Sequence, residues 1–397
     1  MEPQADQRGG HHAQFLPLLA AAAARTGHPS VLVAPSGIDS ELRAALASQG
    51  TVLVSGPQRR LSLGTAMLAC ARALDAGYRM LQPRFPRRQL PYQLQLFGRS
   101  LLEAGSLRIG RAALGDQRPL TAVVLTANLT LHGLAGALAR QPHVRYLHDI
   151  SRHESRAIRA VEWLTRGSLR HTRFFCPTSA VRDALLREYP GARAVVQPYA
   201  LRDPAARIAP ERREQAPRQL GLPATDQPVG SLVGGWWMVK DFATVAEALA
   251  LASRPFTLLV AGYRIDAGAL DRITAAHRGE LVVLDRALSS SELSLVYAAS
   301  DFTIVSRKPV GKESGVALDA AQRGVPIVVS DHDGELTRKL DGQPWARLFR
   351  NGDPDSLARA LDAACAEPMP RPPEHAAARL GMIDAEQMLA AFDRALI

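Results

Sequence analysis

Cysteine, aromatic residues and long apolar runs are all scarce in this chain. Its three cysteines, Cys70, Cys176 and Cys365, are an odd number set far apart in apolar surroundings. Such a set builds neither a disulfide framework nor a thiolate metal site, and it suits a reducing cytoplasm. Aromatic residues make up only 5% of the sequence, and neither an aromatic-interleaved RNA motif nor zinc-finger spacing occurs, so no nucleic-acid partner is expected. No stretch is apolar for long enough to span a bilayer. The opening MEPQADQRGGHH is polar, unlike a secretory signal peptide. The run LPLLAAAAARTGH has the composition of a signal h-region but reads as a helix that ends at Gly27. These absences point to a cytoplasmic protein, with peripheral membrane association left open.

What is present is the composition of a globular enzyme. The chain has 397 residues, enough for two domains or one large one, of which 47% are hydrophobic and 22% charged. A formal charge of +10 attracts anions, whether a nucleotide sugar, an anionic membrane or a nucleic acid. Apolar runs alternate with helical patterns, which predicts an α/β fold with parallel sheets. Strand candidates in the first half lie at 30–35, 51–56, 121–128, 144–149, 173–177 and 194–198. Residues 203–228 are polar and Pro-rich and read as a linker carrying a short helix.

A second α/β series follows. Strands are expected at 229–235, 256–262, 281–285, 302–307 and 325–331. Helices are expected at 241–252, at 289–300 with a capping box closed by Glu292, at 315–324 and at 353–367. The division is therefore 1–202 as one Rossmann-like domain, 203–228 as linker and 229–373 as a second Rossmann-like domain. Residues 374–397 are expected as a long helical tail that can pack back on the first domain. Two such halves place a cleft between them, and ligands of open α/β sheets sit at the carboxyl ends of the strands.

Three constellations at such strand ends can carry chemistry. In VGGWWMVKDF (233–242) a strand ends in Gly234-Gly235, and Lys240 stands just before a helix. Close backbone approach, free N–H groups and an ammonium suit a diphosphate; an ordinary βα turn with a surface lysine fits the same letters. In SRKPVGKESGVALDAAQRG (306–324) a loop leads directly into a helix. Arg307, Lys308 and Lys312 add positive charge, and the free N–H groups of Glu313, Ser314, Gly315 and Val316 point at any bound anion. Glu313 can accept from hydroxyls, and Asp319, nearly two turns on, can reach a second hydroxyl-bearing group. The plainer alternative makes Glu313 a helix cap and Asp319 part of a solvated face. His148 ends the VRYLHD strand, as a ligand-facing group or as a structural histidine. His11 and His12, after Gly9-Gly10, open the first helix, either at a cleft or simply as polar N-terminal residues. Trp236 and Trp237 sit in the loop after Gly235, where one can reach the cleft and either can pack in the core.

The order of these segments resembles the retaining family 4 glycosyltransferases, whose fold is GT-B, two Rossmann-like domains facing each other across a cleft. RGGHHAQFLPLLAAAAARTGHPSVLV is similar to that family's Gly-Gly loop, first helix and second strand. NLTLHGLAGALAR, VRYLHD and FFCPTSAVRDAL are similar to its middle N-domain segments. VGGWWMVKDFATVAEALA is similar to its phosphate loop, and SSSELSLVYAASDFTIVSR with ESGVALDAAQRGVPIVVSD to its donor-site core. The match covers most of the chain and is most specific over 229–331.

The resemblance implies an N-terminal acceptor-binding domain and a C-terminal nucleotide-sugar domain, joined in a hexosyltransferase. In it Lys240 neutralises the donor diphosphate, Asp319 bonds the ribose, His148 faces the transferred sugar and the Glu313–Val316 loop contacts that sugar. Gly10, His11 and His12 fall on the acceptor or cleft side. No cofactor and no metal is implied, because protein charges replace the metal.

The sequence departs from the family at several points. Gly235 stands where an Arg is usual. Glu313 is offset by two from the first acid of the family signature, which falls on Gly311. Pro198-Tyr199 replaces an Asn-Gly, and MEPQADQ carries no strand before the Gly-Gly loop. Alternatives are an inverting GT-B enzyme with His11 or His12 as base, a sugar-nucleotide epimerase, and a non-catalytic GT-B-like partner protein. The acceptor is not identified, and MLQPRFPRRQLPYQLQLFGRSLL (80–102) mixes Arg with apolar residues in a way that suits either an anionic membrane or a solvated helix and loop.

Overall fold

The computed structural model describes residues 11–34, 37–55, 62–83, 89–115, 122–124, 131–147, 155–198, 201–235, 240–263, 265–308 and 314–396. The chain divides into two compact units. One comprises His12–Tyr199 with Ala385–Ile397, the other Ala200–Asp384.

The first unit begins with α1 (His11–Arg25), β1 (Val31–Ala34), α2 (Ser40–Ser48) and β2 (Val52–Ser55). β1 and β2 form a parallel pair in register from Val31–Val52 to Ala34–Ser55. Two long helices follow, α3 (Leu63–Leu81) and α4 (Gln89–Leu114). A second parallel sheet has the order β3-β4-β5-β6, built from β3 (Val123–Val124), β4 (His143–Tyr146), β5 (Thr172–Cys176) and β6 (Arg193–Val196). Between these strands lie α5 (His132–Ala139), α6 (Arg156–Thr165) with a 3₁₀ turn over Arg166–His171, and α7 (Ser179–Glu188). Val124, Leu147, Phe174, Cys176 and Leu185 form the core of this sheet with Met67 and Leu107 of the long helices.

All four residues of β4 are buried, including Arg145, which is fully enclosed. Its guanidinium pairs with Glu103 of α4 and donates to the His132 carbonyl at 3.1 Å. Glu162 of α6 accepts the Gly133 N–H at 3.0 Å, at the start of α5. Burial pushes the Glu162 carboxyl up, and that hydrogen bond with the nearby Arg145 opposes the shift.

In the second unit, α8 (Pro210–Gln219) precedes β7 (Val229–Val233), α9 (Phe242–Leu251), β8 (Thr257–Gly262), α10 (Ala267–Ala276) and β9 (Leu281–Asp285). Then come α11 (Ser290–Ala299), β10 (Phe302–Val305), α12 (Gly315–Arg323), β11 (Ile327–Ser330), α13 (Gly334–Leu340), β12 (Ala346–Phe349), α14 (Pro354–Ala366) and α15 (Ala376–Arg379). The sheet is parallel with the order β12-β11-β10-β7-β8-β9. Both faces are covered, as parallel sheets require. Leu259, Ala261, Val305 and Val329 pack on one side with α11 and α12. The alternate residues Leu258, Val260, Ile304 and Val328 pack on the other with α9 and α14. The capping box of α11 joins Ser289 to Glu292, as its letters predict.

Two expectations are corrected. Residues 203–228 carry the expected short helix, α8, but belong to the second unit rather than linking to it: Ile208, Ala216 and Leu222 are buried in its core, and α8 packs on α11. Their polar, Pro-rich neighbours hide this single apolar stripe in the sequence. The tail is not one long helix. α15 stops at Arg379, the Leu380 carbonyl accepts from Lys339 at 3.0 Å, and the Leu201–Ile383 bridge holds the chain extended. Only then does α16 (Ala385–Leu396) start, and it belongs to the first unit, where Phe392 meets Phe175 at 5.3 Å and the Ala395 carbonyl accepts from Arg173 at 2.7 Å. No helix among the described residues is long and apolar enough to cross a membrane.

Candidate functional site

The chain of the second unit runs β7, β8, β9 toward one edge of its sheet and then returns to lay β10, β11 and β12 on the other side of β7. The strand order therefore reverses between β7 and β10. In open α/β sheets this reversal opens a crevice at the carboxyl ends, where ligands bind. β7 ends there in Gly234-Gly235 and β10 in Ser306-Arg307.

Local chemistry shapes this crevice. Gly234 has φ +98, a conformation open to glycine but strained for other residues, and its N–H donates to the Ala261 carbonyl at 2.8 Å. A side chain on Gly262, at the end of β8, would collide with the Gly234 carbonyl. Two glycines on neighbouring strands thus let the turn after β7 fold tightly over the sheet end. The chain comes back at Lys240-Asp241, which runs antiparallel beside Ser306-Arg307. The Asp241 N–H donates to the Ser306 carbonyl at 3.3 Å, and the Ser306 hydroxyl donates to the Asp241 carbonyl at 3.2 Å. Asp241 also caps α9 through the Thr244 N–H.

This stitching brings two cations together. The Lys240 ammonium donates to the Val233 carbonyl at 2.5 Å. Burial, and then the Arg307 guanidinium, push its pKa down to about 7. A β-carbon on Gly234 would lie 3.4 Å from Lys240 Nζ and 3.7 Å from the Val316 side chain, so Gly234, Lys240, Arg307 and the first turn of α12 share one neighbourhood. A lysine held half-neutral beside an arginine is a site short of negative charge. An incoming anion restores the lysine's proton and is met by two cations.

α12 begins at Gly315, and Ser314 caps it by accepting from the Ala317 N–H at 3.4 Å. Asp319 is on neither a solvated face nor an open surface. It is buried, and its carboxylate accepts from Gln322 and from Arg323 Nε, each at 3.1 Å. Arg323 in turn donates to Ser294 Oγ at 2.5 Å and lies over the Tyr297 ring. Tyr297, fully buried on α11, is bonded to Asp319, and burial with that carboxylate raises its phenol well above the ordinary range. Asp319 is thus held by its own helix and by α11.

His332 and Ser330 escape the sequence reading. The His332 imidazole is buried just past β11, with Nδ1 at 2.9 Å from Ser330 Oγ, while the Arg307 N–H donates to that same hydroxyl at 3.3 Å. His332 Nε2 is buried and has no hydrogen-bond partner among the described residues. Burial and the nearby Arg307 lower the imidazole pKa. The signal, a histidine after the strand IVVS, means nothing until β11 is known to lie beside β10. Asn351 past β12 belongs with them, since its side-chain amide donates to the Arg307 carbonyl.

Gly10, His148, Trp236, Trp237, Lys312 and Glu313 lie outside the described residues, and of His11 and His12 only their place at the start of α1 is described. Lys308 is exposed. Among the described residues no three His, Cys, Asp or Glu side chains come together as a metal cluster.

Residues 227–367 match the family described as glycosyl transferases group 1. No curated protein matches the chain. Solved structures similar to it include Anabaena HepE in complex with UDP and glucose, at 16% identity and a TM-score of 0.62, over 99% of this chain and 98% of that one. A glycosyltransferase from Rickettsia africae aligns at 13% identity and 0.57, over 98% and 90%. Sucrose-phosphate synthase from Thermosynechococcus elongatus aligns at 16% and 0.54, over 99% and 94%. The match to the group 1 family therefore lies on the segment that holds Gly234, Lys240, Arg307 and α12, and the chain as a whole has the GT-B fold.

Proposed function

We propose that this chain is a glycosyltransferase that moves a hexose-type sugar, with retention, from a nucleotide-sugar donor to an acceptor hydroxyl in the cytoplasm. The observation that carries the reading is the convergence of Lys240 and Arg307 at the β7–β10 switch point beside Gly234. Two cations, a glycine turn and the start of a helix form a cradle for a diphosphate. These protein charges take the part that a metal plays in other transferases. The complexes of HepE with UDP and glucose support a uridine nucleotide as the first donor to try. In this reading Asp319 takes the ribose, and His148 and the Glu313–Val316 segment face the transferred sugar. The retaining outcome rests on the family 4 resemblance.

Calorimetric titration of UDP, GDP, ADP and dTDP, each free and as its sugar conjugate, tests the proposal. One nucleotide series should bind wild-type protein. Lys240→Ala should weaken it by about 1.5–3 kcal/mol, the scale of a charged hydrogen bond. An affinity unchanged by that substitution removes the phosphate from this crevice. Transfer to water or to an added acceptor, followed by NMR of the product anomer, reports the stereochemistry.

A further inference from the structure

A second, separate surface lies on the first unit. α6 turns Ile158 and Glu162 into the core, and Leu169 of the following 3₁₀ turn is buried with them. At helical spacing the opposite face carries Arg156, Arg159, Trp163 and Leu164, and the turn adds Arg166 and Arg170. Trp163 is 60% exposed and Leu164 72%, the two most exposed large hydrophobic residues among those described. The Arg166 guanidinium lies 5.0 Å over the Trp163 ring. All four arginines are exposed, and none pairs with a carboxylate among the described residues. The one acid of this stretch, Glu162, is turned inward onto Gly133.

We propose that this face docks on an anionic lipid bilayer. An indole belongs at the boundary between headgroups and acyl chains, and a leucine beside it gains from lying just below that boundary. The arginine stems lie along the apolar surface while their guanidiniums reach lipid phosphates. Leu164, the most exposed of these residues, gains nothing from a polyanion without hydrocarbon, which sets the bilayer above RNA or an acidic peptide. Of the 80–102 segment, which the sequence offers for the same role, Met80 is exposed and residues 91–102 are buried or half-buried, while 84–88, with Arg84, Arg87 and Arg88, lie outside the described residues.

The test is co-sedimentation of the full chain with vesicles of phosphatidylcholine alone and of equimolar phosphatidylcholine and phosphatidylglycerol. Wild type should sediment with the anionic vesicles only, and added salt should release it. Trp163→Ala with Leu164→Ala should lower the partition coefficient by at least about tenfold, and each of Arg156→Gln, Arg159→Gln, Arg166→Gln and Arg170→Gln by about fivefold. Leu251→Ala, an equally simple loss of an exposed apolar residue on the other unit, should leave binding unchanged. Lipids brominated in the acyl chain should quench tryptophan emission in wild type and much less in Trp163→Phe, which keeps binding and so separates contact from misfolding. Failure of wild type to bind anionic vesicles overturns the proposal. So does binding that survives both the paired alanine and the glutamine substitutions, or capture by RNA or an acidic polypeptide without capture by vesicles.

Discussion

Lys240 carries the first prediction at the scale of single residues. Its pKa of about 7 in the free protein means that a diphosphate must draw a proton onto it whenever the pH is above that value. Affinity is therefore greatest below pH 7, where the ammonium is already formed. It falls as pH rises, by up to about tenfold per unit until the bound-state pKa is reached. A nucleotide sugar is the right probe, because its diphosphate does not titrate near neutrality. Calorimetry in buffers of different ionisation enthalpy should show proton uptake at pH 8 and little at pH 6, and Lys240→Met should bind weakly with no such dependence. A pH-independent wild type with no proton uptake would place the lysine fully charged in the free protein. Asp319 carries the second prediction. Asp319→Asn should weaken free nucleotide and nucleotide sugar alike. It should also lower stability by about 1–3 kcal/mol, because buried Arg323 keeps its charge and loses its anionic partner. Lower stability with unchanged affinity would make Asp319 a purely structural residue. The cations of this site are legible in the sequence because each follows a strand and a glycine or serine. The i+3 and i+4 spacing of Gln322 and Arg323 is also visible there. Tyr297, Gly262 and His332 are not, because their parts depend on which strand or helix lies alongside.

Among elements, α4, β4, α5 and α6 are tied together by charge in a place where apolar residues are the rule. Arg145 and Glu103 are both enclosed, with side-chain exposures of 0% and 3%. Removing one member of such a pair strands the other in a medium that cannot solvate it. Glu103→Ala should therefore cost about 3–5 kcal/mol in urea unfolding. Arg145→Met with Glu103→Leu, which removes both charges, should recover most of that loss. A single substitution costing under about 1 kcal/mol would show that water reaches the pair. The same elements explain where the sequence is readable. Strands β5, β7, β8, β10 and β11 announce themselves as short apolar runs, since a sheet covered on both faces needs apolar side chains on both. β12 (ARLF) is a half-buried edge strand with an arginine in it, and α13 is short and mostly polar, so neither stands out from loop. The burial of α8 rests on one alanine and two flanking apolar residues, too few to register beside its charges. The break between α15 and α16 is marked locally by Gly381, whose φ of +94 closes α15, and is held by the bonds to Lys339 and Leu201, which the sequence does not show.

At the scale of the whole molecule, each unit has a core of its own, so a ligand held by one need not stabilise the other. The proposed donor crevice lies within the second unit, between strands of a single sheet. A ligand that binds only the folded form of that unit stabilises it by RT ln(1 + [L]/Kd), about 2.7 kcal/mol at a hundred times Kd. Hydrogen exchange resolves this by segment. With saturating nucleotide, protection should rise at Val233–Gly235, at Lys240–Asp241, at Ser306–Arg307 and in the first turn of α12. Slower opening should extend through β7, β8 and β10, whose amides exchange only when the sheet opens. The β3–β6 sheet should keep the exchange rates of the free protein, because its amides belong to a separate core. Calorimetry on the same sample should show the heating transition of the nucleotide-binding unit moving upward alone. Protection spread evenly over both sheets would mean that the units open as one cooperative body. Protection confined to the first unit would move the nucleotide site out of the β7–β10 crevice altogether.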